Sequence, residues 1–403
     1  MTVPEPAPLA GTLAGIRILE IGSNIAGPMA AMILGDLGAD VVKVEAPRQG
    51  DDTRGLAPLI DGESTVFRAF NRSKRSVALD LGCESGRAAA LRLAADADVV
   101  IQNLRPGVVD RLGVGFEAVS AVNDSVIYCS ISAFGPGKIG RTLPGYDALV
   151  QAFSGIMAAT GHPGEGGPVR VSASLVDIST GVWAALGILA ALLRRPASDG
   201  PQLVEPALLD TAFTLMAHQV SSYVLNGEVP ERLGSGSPSF VPYQAYRASD
   251  GWVFVAAGSD RLFAKLCAVL SIPELADDNR FATAAARVAN RQVLDHTLEG
   301  RLLLGAVDSW VVTLTDAGIP ACPVNDLGRA VEAPITSERK LFVGEDRHKC
   351  PWLRLPIDRE RKAPYRPTPG LGEHTREVLR EAGLTESEID GVTQGRVEQT
   401  NNS

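Results

Sequence analysis

Residues 15–46 read GIRILEIGSNIAGPMAAMILGDLGADVVKVEA, and the order of their properties decides the fold. An apolar run, a polar turn with glycine, a stretch with helical spacing and a second apolar run ending at Glu45 make one βαβ unit. The alternation returns downstream as SVALDL, SGRAAALRLAADA, VVIQN and VIYCSIS, strand-length runs separated by helix-length ones. The fold class is therefore α/β, with a parallel, doubly wound sheet.

Beyond residue 143 the character changes. Two mainly helical blocks, one opening at Pro144 and the other after Asp177, are joined by the loop GHPGEGGP. The Pro-rich, polar stretch ASDGPQLVEP reads as a break, followed by a helix from about Ala207 into SSYVLN. In YQAYRASDGWVFVAAG the SDG turn marks a β-hairpin. Residues 260–316 have helical spacing and GIPACPV reads as a strand, so this region forms a small α+β unit. The text GEHTREVLREAGLTESEIDGV closes the chain with a capped helix, a glycine stop and a second short helix.

Bulk properties exclude several functions. With 403 residues the chain is too long for one compact core. A formal charge of −9 argues against broad nucleic-acid binding, which needs a basic surface. The five cysteines are odd in number, scattered and free of CxxC spacing, which fits a reducing cytoplasm and predicts no metal site. The N-terminal text MTVPEPAPLAG lacks the features of a signal sequence, and the greasy stretch 181–193 is too short to span a bilayer.

Four local patterns can carry chemistry. In the first turn, Ile21 to Pro28, a strand meets a helix N-terminus, where backbone amides can hold phosphate. Glu45 stands where a ribose-binding acid would, but the glycines fall at Gly22 and Gly27 and do not make G-x-G-x-x-G, which argues against a dinucleotide. The basic run NRSKRS reads as a solvated turn or a phosphate contact. In QNLRPGVVDRLG, Asn103 and Arg111 project near the carboxyl edge of the sheet, where such folds bind ligands. In PGYDALVQAFSG, Asp147 has the local setting of a helix N-cap.

Taken together, the blocks LAGIRILEIGSNIAGPMAAMILGDLGADVVKVEAPRQGD, FNRSKRSVALDL, VVIQNLRPGVVDRLG, ISAFGPG, PGYDALVQAFSG, SLVDISTGVWAALGILAAL, RLGSGSPSFVPYQAYRASDGW and LGEHTREVLREAGL occur in one order. By these blocks the chain resembles the class III, or CaiB/BaiF-type, CoA-transferases, a group that includes formyl-CoA transferase. The resemblance implies Asp147 as a covalent nucleophile. It also implies coenzyme A contacts at Ser23, Asn24, Ile25, Ala26, Leu79, Asn103, Leu104 and Arg111, with Lys138 a looser match and Arg48 standing in for an arginine absent at Ala46. Gly234 and Gly236 fall where the family has a mobile glycine loop whose amides suit an oxyanion.

The implied fold is a Rossmann-like large domain over residues 1–200, completed by 335–403. Residues 201–225 are expected as a linker helix, 226–330 as a small α+β domain and 331–403 as the return linker and the C-terminal part of the large domain. The implied assembly is an interlocked homodimer with no membrane or nucleic-acid partner. Its substrates are an acyl-CoA and a small carboxylic acid, with short dicarboxylates favoured and succinyl-CoA as donor, and no cofactor is bound permanently. Arg141 and Arg170 are candidates for a second substrate carboxylate. Two alternatives remain open. An α-methylacyl-CoA racemase would use Asp177, but Tyr146 replaces the histidine expected of it. A catalytically silent acyl-CoA-binding protein would keep the fold alone.

Overall fold

The computed structural model describes residues 9–164, 166–195, 200–345, 350–358 and 365–394. The chain forms two compact units: residues 1–156, 171–225 and 340–403 make the first, and residues 157–170 and 226–339 the second.

In the first unit, six strands form one parallel sheet. They are β1 (Arg17–Ile21), β2 (Asp40–Glu45), β3 (Lys74–Ala78), β4 (Val99–Gln102), β5 (Ile127–Ser130) and β6 (Gln202–Val204). Their spatial order is β3-β2-β1-β4-β5-β6, the doubly wound order that reverses between β1 and β4. Helices α1 (Ala26–Asp36), α2 (Glu84–Ala95), α3 (Asp147–Phe153), α4 (Leu175–Arg194) and α5 (Leu208–Leu215) belong to this unit. On one sheet face Leu19, Ile21, Val42, Val44, Val77 and Val100 pack with Ala89, Ala90 and Ala94 of α2 and with Val378, Leu379 and Ile389 near the C-terminus. On the other side α1 packs closely on α4, because Gly181 lacks the Cβ that would stand 2.8 Å from the Ala26 carbonyl oxygen.

Three expectations change here. NRSKRS is neither a solvated turn nor a phosphate contact: Lys74 opens β3, and Arg72, Ser73, Lys74 and Arg75 are all buried. Arg72 pairs with Asp36 at 2.7 Å and Arg75 with Asp40 at 2.6 Å, so internal acids absorb the basic run. The polar break at 197–206 contains β6, whose pairing with β5 outweighs its unpromising composition. Residues 201–225 are consequently not a single linker helix but β6, α5 and most of the helix Ala217–Asn226, and the first unit holds them as far as Leu225.

Helix α4 is long and apolar enough to cross a membrane by length and composition alone. Val176, Thr180, Ala184, Ile188 and Ala191 nevertheless line a buried face of it, whereas Val182, Trp183, Leu186 and Leu193 are exposed. The second unit has a three-stranded antiparallel sheet of β7 (Tyr243–Arg247), β8 (Trp252–Ala256) and β9 (Ala321–Pro323) in the order β9-β8-β7. Val253, Val255, Phe263, Leu266, Leu294, Leu298 and Leu314 form its core.

Candidate functional site

Strand β1 ends at Ile21, and the chain then turns sharply, with Asn24 at a φ of 67°. Three side chains hold this turn. Asn103, just beyond β4, accepts from the Ser23 amide at 3.0 Å and donates to the Ser23 carbonyl at 2.7 Å. Lys43 donates to the Gly22 carbonyl at 2.9 Å, and Asp51 accepts from the Asn24 amide at 3.1 Å. The amides of Ser23 and Asn24, expected to meet phosphate, are thus already engaged inside the protein.

Beside the turn, at the carboxyl ends of β1 and β2, lies a cavity of about 350 Å3. Ser23, Leu79 and Leu104 line it, whereas Asn24, Ile25, Ala26, Asn103, Arg111, Arg48 and Lys138 do not. Glu45, Asp51, Asp52 and Asp80 also line it, and no lysine or arginine does. Such a wall suits hydroxyl and ring N–H donors and repels phosphate. Arg48, Arg111 and Lys138 are exposed and make no ion pair among the described residues. Leu104 also borders a cavity of about 160 Å3 in which Arg141 is the cation. Arg170 is exposed in the second unit.

Two carboxylates meet where α4 begins. Asp147 is the first residue of α3 and is 5% exposed, yet its carboxylate does not cap its own helix. Its Oδ2 accepts from the amides of Val176 at 2.8 Å and Asp177 at 3.2 Å, in the first turn of α4. Its Oδ1 accepts from Gln151 Nε2 at 2.6 Å, and Gln151 is itself fixed because its Oε1 accepts from the Val171 amide at 3.0 Å. Local reading was right in kind, since Asp147 caps a helix, but the helix is another one.

Asp177 is half-buried in that same first turn, and its carboxylate accepts no hydrogen bond among the described residues. Burial, and then the negative charge of Asp147, push its pKa up to about 7. An unpaired acid with raised proton affinity beside a fully paired one has the asymmetry that chemistry requires. The resemblance implied Asp147 as the reactive group and gave Asp177 a part only in the racemase alternative. The donors that separate them lie 29 and 30 residues from Asp147 and leave no local signal.

In the second unit the amide of Gly234 donates to the Gly161 carbonyl at 2.8 Å and that of Gly236 to the Leu233 carbonyl at 2.9 Å. The Ser235 hydroxyl accepts from the Ala245 amide at 3.0 Å, and Arg291 donates to the Ser237 carbonyl. Gly234 has a φ of 62°, and a Cβ there would stand 3.0 Å from His162 Nδ1. The loop is therefore pinned to its own unit, and neither glycine amide is open to an oxyanion in this conformation. Among the described residues no cluster of histidine, cysteine and acids has the makings of a metal site.

Comparison with known proteins bears on the chain as a whole. A family profile described as CoA-transferase family III matches residues 13–375. A succinate–glutarate CoA-transferase of Agrobacterium fabrum is 37% identical over 382 residues, covering 92% of this chain and 95% of the relative. A succinyl-CoA:mesaconate CoA-transferase of Haloarcula hispanica is 34% identical, covering 93% and 97%. The crystal structure of a CaiB/BaiF family protein from Brucella suis superposes with a TM-score of 0.83 at 37% identity, over 92% of this chain and 99% of that one.

Proposed function

The chain belongs to CoA-transferase family III and is an enzyme of that class, and from that premise we propose that it moves coenzyme A from succinyl-CoA to a short dicarboxylic acid through acylation of Asp177. The observation that carries the choice of nucleophile is the contrast at the start of α4. Asp147 has both oxygens occupied by donors, whereas Asp177 has both free.

In the proposed cycle an Asp177 oxygen attacks the thioester carbonyl, and the C–S bond breaks. The products are a mixed anhydride and the coenzyme A thiolate. The thiolate then attacks the Asp177 carbonyl carbon, the anhydride C–O bond breaks, and the first acid leaves as its carboxylate. An aspartyl-CoA thioester remains, and the incoming carboxylate reverses the two steps. Raised basicity helps the first attack, because the nucleophilicity of an ionised carboxylate increases with its proton affinity. Asp147 supports that basicity through its charge and fixes the first turn of α4 through two amides. The nucleoside portion of coenzyme A suits the acidic cavity of about 350 Å3, with phosphates toward Arg48, Arg111 or Lys138. Arg141 is the better placed candidate for a second substrate carboxylate, since it lines a cavity in the same unit as both aspartates. Use of Gly234 or Gly236 as an oxyanion donor requires the loop to open.

Assembly as a homodimer, interlocked in the manner the resemblance implies, is part of the proposal. Its support is the helix Ala217–Asn226, which has no buried residue and exposes Tyr223, Val224 and Leu225, together with the bare Val182, Trp183 and Leu186 of α4. A cytoplasmic location suits five free cysteines.

The test is covalent. Trypsin cleaves after Arg141, Arg170 and Arg194, so Asp147 and Asp177 fall on separate peptides, 142–170 and 171–194. Incubation with succinyl-CoA, quenching with hydroxylamine and mass spectrometry are expected to find a hydroxamate on peptide 171–194. Modification of 142–170 instead would restore Asp147 as the nucleophile, and no modification with no exchange into glutarate or mesaconate would leave a binding protein.

A further inference from the structure

On the sheet face beneath α1 lies a charged assembly that the proposed cycle does not use. Glu20 on β1, Lys43 on β2 and Lys74 on β3 are fully buried, and the first two are direct partners across the β1–β2 pair. Lys43 Nζ donates to Glu20 Oε1 at 2.6 Å and to the Gly22 carbonyl at 2.9 Å. It also lies 2.8 Å from Asp51 Oδ2, an ionic contact without hydrogen-bond directionality. Burial opposes charge on Lys43, but the carboxylates of Glu20, Asp51 and Glu45 outweigh it and hold the ammonium above its ordinary pKa.

This single ammonium joins two walls of the cavity of about 350 Å3. One wall is the Gly22–Ser23 turn, reached through the Gly22 carbonyl. The other begins at Asp51, which caps the short helix Asp52–Gly55 by accepting from the Thr53 amide at 2.9 Å and also accepts from the Asn24 amide. Removing the charge leaves Asp51 and Glu20 to repel each other across the buried gap, and the walls lose their common tie. The cation is out of reach of solvent, so it acts through the turn and not by touching a ligand.

We propose that Lys43 is a positioning residue for coenzyme A, a buried tie between the Gly22–Asn24 turn and the Asp51 helix start that sets the width of the acidic cavity. The inference rests on reading that cavity as the coenzyme A site. Binding of coenzyme A itself, followed by calorimetry, is the measurement, alongside turnover at saturating succinyl-CoA. Lys43→Met is expected to weaken coenzyme A binding about tenfold while turnover at saturation and the KM of the acceptor acid stay within about threefold, because a displaced wall costs affinity and leaves Asp177 in place. Unchanged binding, or a joint fall of all three quantities, overturns it. Where Lys43→Met does not fold, Asp51→Asn decides. It keeps an oxygen for the Asn24 and Thr53 amides and removes the charge facing Lys43, so several-fold weaker coenzyme A binding supports the inference and wild-type binding overturns it. Ala46→Trp, at the exposed rim of the cavity, separates the two readings. If it binds coenzyme A normally while Lys43→Met does not, the cavity assignment fails and the inference with it, leaving Lys43 to act on binding through the Gly22–Asn24 turn elsewhere; normal binding by both ends both.

Discussion

Beneath α1, Glu20 has an ammonium against each oxygen, Lys43 at 2.6 Å and Lys74 at 2.8 Å. At the start of α4, half-buried Asp177 has no ion pair among the described residues, and the charge that acts on it is another carboxylate, Asp147. The first arrangement sets each buried charge against an opposite one, and its members serve as framework. The second leaves like charges together, and the cost of ionising appears as a raised proton affinity on the member without donors. One fold thus handles buried acid in two ways, and the handling separates scaffold from chemistry.

The largest effect is expected where the chemistry is placed. Asp177→Asn keeps the shape of the side chain and removes the attacking lone pairs, so the transfer rate should fall by about 10,000-fold or more with coenzyme A binding retained. Steady-state exchange assays check the first part and calorimetry the second. The same variant has a stability signature. Because Asp177 is protonated in the folded protein up to about pH 7, the native state holds a proton that the unfolded chain releases at ordinary carboxylate pH. The wild type should therefore lose stability as pH rises from the ordinary carboxylate range through about 7, and Asp177→Asn should lack that slope in denaturant titrations. A transfer rate near wild type, or a slope that persists, breaks the comparison.

Glu20→Gln tests the framework side. It leaves two buried ammonium groups without their shared partner, a change worth about 3–5 kcal/mol when the orphaned charge cannot escape. One can escape: burial, opposed by Glu20 and reinforced by Lys43, already lowers Lys74 to about 8. A depressed lysine binds fewer protons folded than unfolded, so its contribution to stability is lost as pH falls and recovers as pH rises above the folded value. The variant's deficit in chemical denaturation should shrink as pH rises from 7 toward 9, and a deficit independent of pH would show that Lys74 does not yield.

Between these lies Asp147→Asn, for which an activity loss of about 10- to 100-fold is expected. Burial remains the larger cause of the Asp177 shift, so the acid limb of the pH–rate profile should move below about 7 without reaching an ordinary carboxylate value. An unmoved limb would mean that Asp147 acts only as a cap.

How much of this was legible in the sequence depends on the range of the forces involved. The doubly wound sheet was readable because apolar runs and helical spacing alternate at short range, as in residues 15–46. Strand β6 was not, since three residues among prolines and polar groups become a strand only through pairing with β5. The basic run at 71–76 misled because its neutralising acids, Asp36, Asp40 and Glu20, sit on other elements. A readable signal was passed over: Glu20 and Lys43 each interrupt an apolar strand, and such charges are buried only when paired. The resemblance located the carboxylate pair but not which member is free, because that depends on the amides of Val176 and Asp177.

The smallest effect is expected at the Gly22–Asn24 turn beside the acidic cavity. Asn103 makes two hydrogen bonds to Ser23, and its carboxamide occupies the space above Gly22 and Gly27. A Cβ at Gly22 would stand 2.2 Å from Asn103 Oδ1, so Gly22→Ala must displace that side chain and lose both bonds. Asn103→Ala loses the same two bonds, each worth about 1 kcal/mol, and leaves room for the new methyl group. The two substitutions therefore should not add. The double variant is expected to be no worse than Gly22→Ala alone, with a coupling of about 1 kcal/mol or more between the sites in coenzyme A affinity and in stability. Additive losses would show that the glycine is required for some contact other than Asn103, and that the turn is held less by this carboxamide than by Lys43 and Asp51.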